Sequence, residues 1–354
     1  MANIIITPSI FFSQKQGGIS RYFSEIQKKS NNSTLVVAPC VFSNNLYLPG
    51  YSKVSLGSYG RKLSEWVNYI NFQMKVTSEN IVHHSYYEPK YLKSRAKVNI
   101  VTVYDCIHEK FSVDRNDSKV IQNKKTLLEK SDVIISISNT TKRDIIKYYD
   151  IDPDRIKVIY LGSGPFPQRK STRLKLAITN PYILFVGRRD SYKNFNSLLE
   201  AFSLSNFYHN GGLLVVFGIS PNTTELDSIR ARCPDLIKSI HFVSGGDALL
   251  GSYYDKAYMH IVMSKYEGFG LTPLESISLK CPTMIYKNPV VEELFGETGF
   301  VFSNDSIECM LDIIDNSDIN EIILENQIFK NLNPELFNWE AMRENTFKLY
   351  RSLL

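Results

Sequence analysis

The sequence predicts an α/β protein of two domains, each a doubly wound parallel sheet, and three observations lead there. The chain has 354 residues, more than one ordinary domain holds. Short runs rich in Val and Ile recur along it, apolar on both faces as buried parallel strands are. Helix-length segments with polar periodicity separate most of these runs, and alternating β and α means doubly wound parallel sheets.

In order, the first series of strands is expected at 3–7, 34–38, 80–84, 99–104, 133–138 and 157–161. Helical patterns lie between them, for example at 20–29, 119–130 and 140–148. A second series follows at 182–186, 213–217, 241–243, 259–263, 283–286 and 299–302. The break between the series, 161–181, holds glycine, three prolines and a basic cluster, as a linker does. The last segment, 338–354, is patterned as an amphipathic helix through Trp339, Met342, Phe347, Tyr350 and Leu353. Two Rossmann-like domains facing across a cleft follow from this, 1–165 joined by the helix 338–354, and 166–337.

Composition narrows the class. Hydrophobic residues make up 43% and charged residues 22%, the balance of a soluble globular protein. No apolar run approaches the roughly 20 residues of a membrane helix. The apolar start MANIIITPSIFF lacks a cationic head and meets Pro8, so a first buried strand is expected there and not a signal peptide. Five widely spaced cysteines without a C-x-x-C suit a reducing, cytosolic compartment. Net charge is +5, unevenly spread: residues 1–165 carry 23 Lys+Arg against 14 Asp+Glu, and 166–354 carry 18 against 22. The basic half suits an anionic partner, such as a membrane surface, or is a solvated lysine-rich face. No aromatic-basic motif supports nucleic acid.

The most informative stretch is SKYEGFGLTPLES, 264–276, which follows an apolar run and precedes a helix pattern. Thr272-Pro273-Leu274-Glu275 has the form of a capping box, with Thr272 as N-cap and Glu275 reaching back to it. Gly268 and Gly270 would let a ligand approach the bare amides of that helix N-terminus. Glu267 fits neutral sugar hydroxyls better than a phosphate. A second loop, Gly187-Arg188-Arg189 through Lys193, follows a buried strand and offers a planar fork and a point charge for phosphate. Asp152-Pro-Asp154 spells a metal-binding D-x-D, but its loop setting predicts a turn. No dinucleotide fingerprint or P-loop is present.

The stretch 266–275 closely resembles the E-x7-E signature of family 4 glycosyltransferases, retaining enzymes of the GT-B fold. The resemblance extends to PYILFVGRRDSYKN (181–194), GGISRYF (17–23), VTVYDCI (101–107), VHHSYY (82–87), 131–162 and the terminal Trp339 helix, from about Ile4 to Leu349. It implies that Gly268, Phe269, Gly270, Leu271 and Thr272 hold the donor's sugar and diphosphate. Glu267 then lies near the transferred sugar, and Glu275 bonds the ribose. Arg188 and Lys193 grip the diphosphate, and Gly17 and Gly18 approach it from the first domain. His84, Tyr104 and Asp105 fall on the acceptor or sugar side, with tyrosine at 104 where many members have histidine. Glu267, Asp105, Arg188 and Lys193 are the implied catalytic set.

The implied activity is retaining hexosyl transfer from a nucleotide sugar to a glycan or lipid-linked acceptor, with no cofactor and no obligatory metal. The Tyr-Asp version of the N-terminal motif looks most like mannosyltransferases using GDP-mannose. UDP-glucose and deoxysugar nucleotides stay open, as does a nucleotide-sugar-binding protein without catalysis. A cytoplasmic chain, peripheral contact with an anionic membrane through the basic domain, and a homodimer complete the expectations.

Overall fold

A computed structural model describes residues 3–30, 34–43, 45–48, 58–111, 117–163, 176–189, 191–232 and 234–354. The predicted linker falls largely on 164–175, outside the described residues, as do Asp190 and Cys233. The chain divides into two compact units, 1–162 with 339–354, and 163–338.

The first unit holds a six-stranded parallel sheet. Its strands are β1 (Ile4–Ile6), β2 (Val36–Val37), β3 (Ile81–His84), β4 (Val98–Val103), β5 (Val133–Ser136) and β6 (Ile156–Val158), in the order β2-β1-β3-β4-β5-β6. Every residue of β1 and β3 is buried, as the two-sided apolar runs require. Registers such as Ile4↔Ile81 and Ile100↔Val133 align these cores. The order reverses between β1 and β3, so this sheet's crevice opens at their C-terminal ends.

The helix Trp339–Leu353 belongs to this unit. Phe347 and Tyr350 are fully buried, and the Tyr350 hydroxyl lies 2.6 Å from His83 Nδ1. Ion pairs pin its outer edge: Lys29 to Glu340 and Glu344, and Arg343 to Glu25 at 2.6 Å. Hydrogen bonds from Lys29 and Arg343 hold the Glu340 carboxyl down at about 2.

The second unit repeats the plan. Strands β7 (Tyr182–Val186), β8 (Leu213–Phe217), β9 (Ile240–Val243), β10 (Met259–Val262), β11 (Thr283–Tyr286) and β12 (Val301–Phe302) are all parallel, in the order β12-β11-β10-β7-β8-β9. Its core gathers Tyr182, Leu184, Val215, Phe217, Tyr253 and Tyr254. The order reverses between β7 and β10, the point where doubly wound sheets bind ligands. The Asp152-Pro-Asp154 segment is a 3-10 turn in which Asp152 accepts from the Asp154 amide at 2.9 Å. The four described cysteines are free.

Candidate functional site

The loops leaving β7 and β10 carry the E-x7-E stretch and the basic segment, and they leave from the two strands that flank the switch point. After β7 the chain turns at Gly187, whose φ of +134° favours glycine. The close approach of β8 explains the turn's tightness: a Cβ on Gly218 would meet the Gly187 carbonyl oxygen at 2.5 Å. The two following arginines, equivalent on paper, are separated by the structure. Arg189 is fixed, its guanidinium bonded to both oxygens of Glu225 at 3.0 and 3.2 Å and to the Ile219 carbonyl at 2.8 Å. It also lies over the Phe242 ring. Arg188 is exposed.

Lys193 closes a short 3-10 turn and reaches across to the second loop. Its Nζ lies 2.5 Å from Glu267 Oε1, joining residues 74 apart in sequence. Both side chains are mostly covered, at 16 and 18% exposure. The two loops are tied by the Lys265 amide donating to the Tyr192 carbonyl at 2.8 Å. Asp305 fastens both from below, accepting from Asn194 at 3.0 Å and pairing with Lys265 at 3.1 Å. The sequence reading gave no role to Asp305 or Asn194; the structure shows Asn194 with a left-handed backbone, φ +52°, a conformation asparagine tolerates.

The predicted capping box is corrected. The helix runs Leu271–Ser278 with Gly270 as its N-cap at φ +116°, so Thr272 is its second residue and Glu275 its fifth. A glycine in that conformation turns the chain into helical geometry two residues earlier than a cap at Thr272 would. Pro273 is tolerated in the first turn because its missing N–H needs no partner there. Glu275 is too far along to reach the N-cap amide, and it is buried instead. Gly268, Phe269 and Gly270 are buried, whereas Glu267, Leu271 and Thr272 are half-buried. The helix is seated by His260 Nδ1 at 3.0 Å from Ser276 Oγ, which also lies 2.8 Å from Thr283 Oγ1. The Tyr254 hydroxyl donates to the Thr272 carbonyl at 3.3 Å.

In the first unit, Gly17 is the N-cap and Gly18 the first residue of the helix Gly18–Lys28, two residues earlier than the sequence pattern gave. His84 ends β3 and is fully buried, its Nε2 3.0 Å from Asn99 Oδ1; burial pushes its pKa down to about 4. His83 beside it is bonded on both nitrogens, to Tyr350 and to Thr102 Oγ1 at 2.7 Å, and is pushed down to about 3. Tyr104 is buried and its hydroxyl donates to the Ser85 carbonyl at 3.5 Å. Asp105 follows β4 and is half-buried, its Oδ1 accepting from the Ile107 amide at 3.1 Å.

A buried polar cluster under Asp105 was not foreseen. Lys124, fully buried, donates to the Asp105 carbonyl at 3.0 Å and pairs with Glu109 at 2.8 Å. Its Nζ also lies 5.0 Å from the centre of the Tyr87 ring, and Glu109 accepts from the Tyr149 hydroxyl. Lys124 stands three and four residues before the buried Leu127 and Leu128, on the apolar stripe of its helix, and that placement was the available signal.

A recess of about 570 Å³ lined by Phe295, Phe300, Ile328 and Phe329 includes none of these residues. Among the described residues, no group of three or more His, Cys, Asp or Glu is arranged to hold a metal ion.

HepE from Anabaena, solved in complex with UDP and glucose, is 14% identical with a TM-score of 0.71, over 99% of this chain and 100% of that one. The two units are thus those of a GT-B fold. Residues 168–327 match the family described as Glycosyl transferases group 1, and residues 59–163 match Glycosyltransferase Family 4. The chain belongs to glycosyltransferase family 4. The O-antigen chain mannosyltransferase RfbU of Salmonella typhimurium is 28% identical over 165 residues, 46% of this chain and 44% of that one. The serotype-specific mannosyltransferase WbdA of Escherichia coli is 24% identical over 212 residues, 56% of this chain and 26% of that one. The chain thus spans less than half the length of these curated relatives.

Proposed function

We propose that this chain is a retaining hexosyltransferase that moves mannose from GDP-mannose onto a glycan or lipid-linked acceptor in the cytoplasm. The observation that carries the transfer reading is the meeting of Lys193 and Glu267 at the switch point of the second sheet, beside the exposed Arg188. Positive charge there suits a departing diphosphate, and a carboxylate suits sugar hydroxyls. The mannosyltransferase names of RfbU and WbdA support the donor sugar.

In this reading the bond from the anomeric carbon to the phosphate oxygen breaks while the acceptor hydroxyl bonds the same face of the sugar. The acceptor proton passes to the leaving phosphate. Arg188, Lys193 and the amides of Leu271 and Thr272 stabilise the charge that grows on the diphosphate, the largest electrostatic task of the reaction. Glu267 orients the sugar and steadies its developing positive charge, and is not a nucleophile. Glu275 accepts from the ribose hydroxyls. Gly17 and Gly18 approach the diphosphate, and His84, Tyr104 and Asp105 belong to the acceptor or sugar side. No metal is required.

UDP-glucose is the second reading, favoured by the UDP and glucose in the complex of HepE. The test is proton NMR of the protein incubated with GDP-mannose or UDP-glucose, following loss of the anomeric signal. Turnover of GDP-mannose with an α product supports the proposal. Turnover of UDP-glucose alone moves the donor but keeps the transferase. No turnover of either, with no binding, overturns both.

A further inference from the structure

The helix Ser58–Lys75 of the first unit has an unusual outer face. It packs inward through Ser64, Asn68, Phe72 and then Val76, every fourth residue and all buried. Phe72 joins Ile5, Val82 and Tyr91 in the core, and Asn68 accepts from the Val41 and Phe42 amides. At about 3.6 residues per turn, the opposite side carries Leu63, Trp66, Ile70 and Met74. These are 59, 60, 36 and 79% exposed. A surface helix normally presents charge there.

Cations lie beside this apolar stripe and at its end. Lys62 is exposed next to Leu63, Lys75 is exposed as the last residue of the helix, and Lys93 and Arg95 line one recess with Met74 there. From 58 to 97 the sequence holds seven Lys and Arg against three Glu. An apolar centre with a basic rim is the pattern of a helix lying in a membrane interface, its Trp and Leu among acyl chains and its lysines at anionic headgroups. Among the described residues no helix is long and apolar enough to cross a membrane.

We propose that the Leu63–Trp66–Ile70–Met74 face docks on an anionic lipid bilayer, with Lys62, Lys75, Lys93 and Arg95 at its headgroups. The charge argues against a second copy: a two-fold interface would bring two net-positive faces together, each with seven Lys and Arg against three Glu over 58–97. The helix Ile319–Leu332 of the other unit supplies the contrast. Its exposed Leu324, Ile328 and Leu332 are flanked by Glu321 and Glu325, so it offers apolar area without the basic rim. The docking face does not depend on the transfer reaction, and its test contains no donor.

The full chain is mixed with vesicles of phosphatidylcholine, with or without phosphatidylglycerol, and followed by co-sedimentation and tryptophan emission. Of the two tryptophans, Trp339 is already buried, so a blue shift on binding reports Trp66. Binding to the anionic vesicles with a blue shift is expected, weakening as salt rises. Trp66→Ser with Met74→Ser, and separately Lys62→Glu with Lys75→Glu, should each cut partitioning at least about tenfold. Ile328→Ser with Leu332→Ser should leave it unchanged. All these side chains are exposed, so unchanged melting is expected of each variant. Absence of a blue shift in the wild type at low salt would overturn the proposal. So would equal partitioning of all variants, or a wild-type dimer that Trp66→Ser with Met74→Ser makes monomeric.

Discussion

Replacing Lys193 by Met tests the phosphate grip at one atom. Methionine keeps most of the apolar stem and removes the ammonium, which lies 5.3 Å from the centre of the Tyr192 ring. In the structure that ammonium pairs with Glu267 at 2.5 Å, each side chain under a fifth exposed. Both side chains keep some contact with solvent, so losing the pair should cost less than breaking a fully buried one, about 1 kcal/mol, and melting should move by a few degrees at most. Donor binding should respond far more. A hydrogen bond to a charged group is worth about 1.5–3 kcal/mol, roughly a tenfold to hundredfold loss of affinity. The unpaired Glu267 then faces the diphosphate as an uncompensated anion. Adding Glu267→Gln to Lys193→Met should therefore recover part of the lost affinity for the free nucleoside diphosphate, a non-additivity that a double-mutant cycle resolves. The assay is calorimetric titration with GDP and GDP-mannose beside a melting curve. Wild-type affinity in Lys193→Met, or a large drop in melting temperature with it, would refute the reasoning.

The buried pair under Asp105 predicts the opposite balance: Lys124→Met leaves Glu109 charged and unpaired and should cost about 3–5 kcal/mol of stability, partly restored by Glu109→Gln; denaturant unfolding that moves by less than about 1 kcal/mol would contradict it. Histidines 83, 84 and 260 are pushed down to about 3, 4 and 3 by burial, so they stay neutral in the fold. Once unfolded they bind protons near pH 6.5, so the unfolded chain holds more protons between about pH 6.5 and 4, and stability falls as pH drops through that window. Melting should be flat above pH 7 and decline below, less steeply in His260→Gln; a melting temperature that rises on acidification would contradict the burial account. Transfer should continue in EDTA, and complete loss restored by magnesium or manganese would show that a divalent ion supplies charge assigned here to Arg188, Lys193 and the helix amides.

All twelve strands were legible because buried parallel strands are apolar on both faces, and Val and Ile runs stand out against helical periods. Their order was not legible, since pairing across a sheet leaves no period in the chain; the reversal between β7 and β10 had to be seen. The loop residues of the candidate site were proposed from glycine placement and from resemblance to a family signature, but the helix start was misplaced because no residue pattern announces that Gly270 takes a left-handed backbone. That Arg189 is bound by Glu225 and Ile219 could be seen only in the fold, because both arrive from a distant stretch. Lys124 escaped notice because a lysine is expected at the surface, and its partners Asp105 and Glu109 belong to another element.

In the proposed function, the switch-point loops of the second unit bind a nucleoside diphosphate sugar through its ribose and diphosphate. The most direct measurement is calorimetric titration of GDP-mannose into the wild type and Glu275→Gln. Glu275 stands past the capping position of its helix, so the exchange probes the proposed ribose contact: the carboxylate accepts from two hydroxyls, and the amide presents an NH₂ to one of them. An affinity at least about tenfold lower in the variant is expected, with 2′-deoxy-GDP losing affinity against the wild type but little against the variant. Equal affinity of GDP-mannose for both proteins would contradict it.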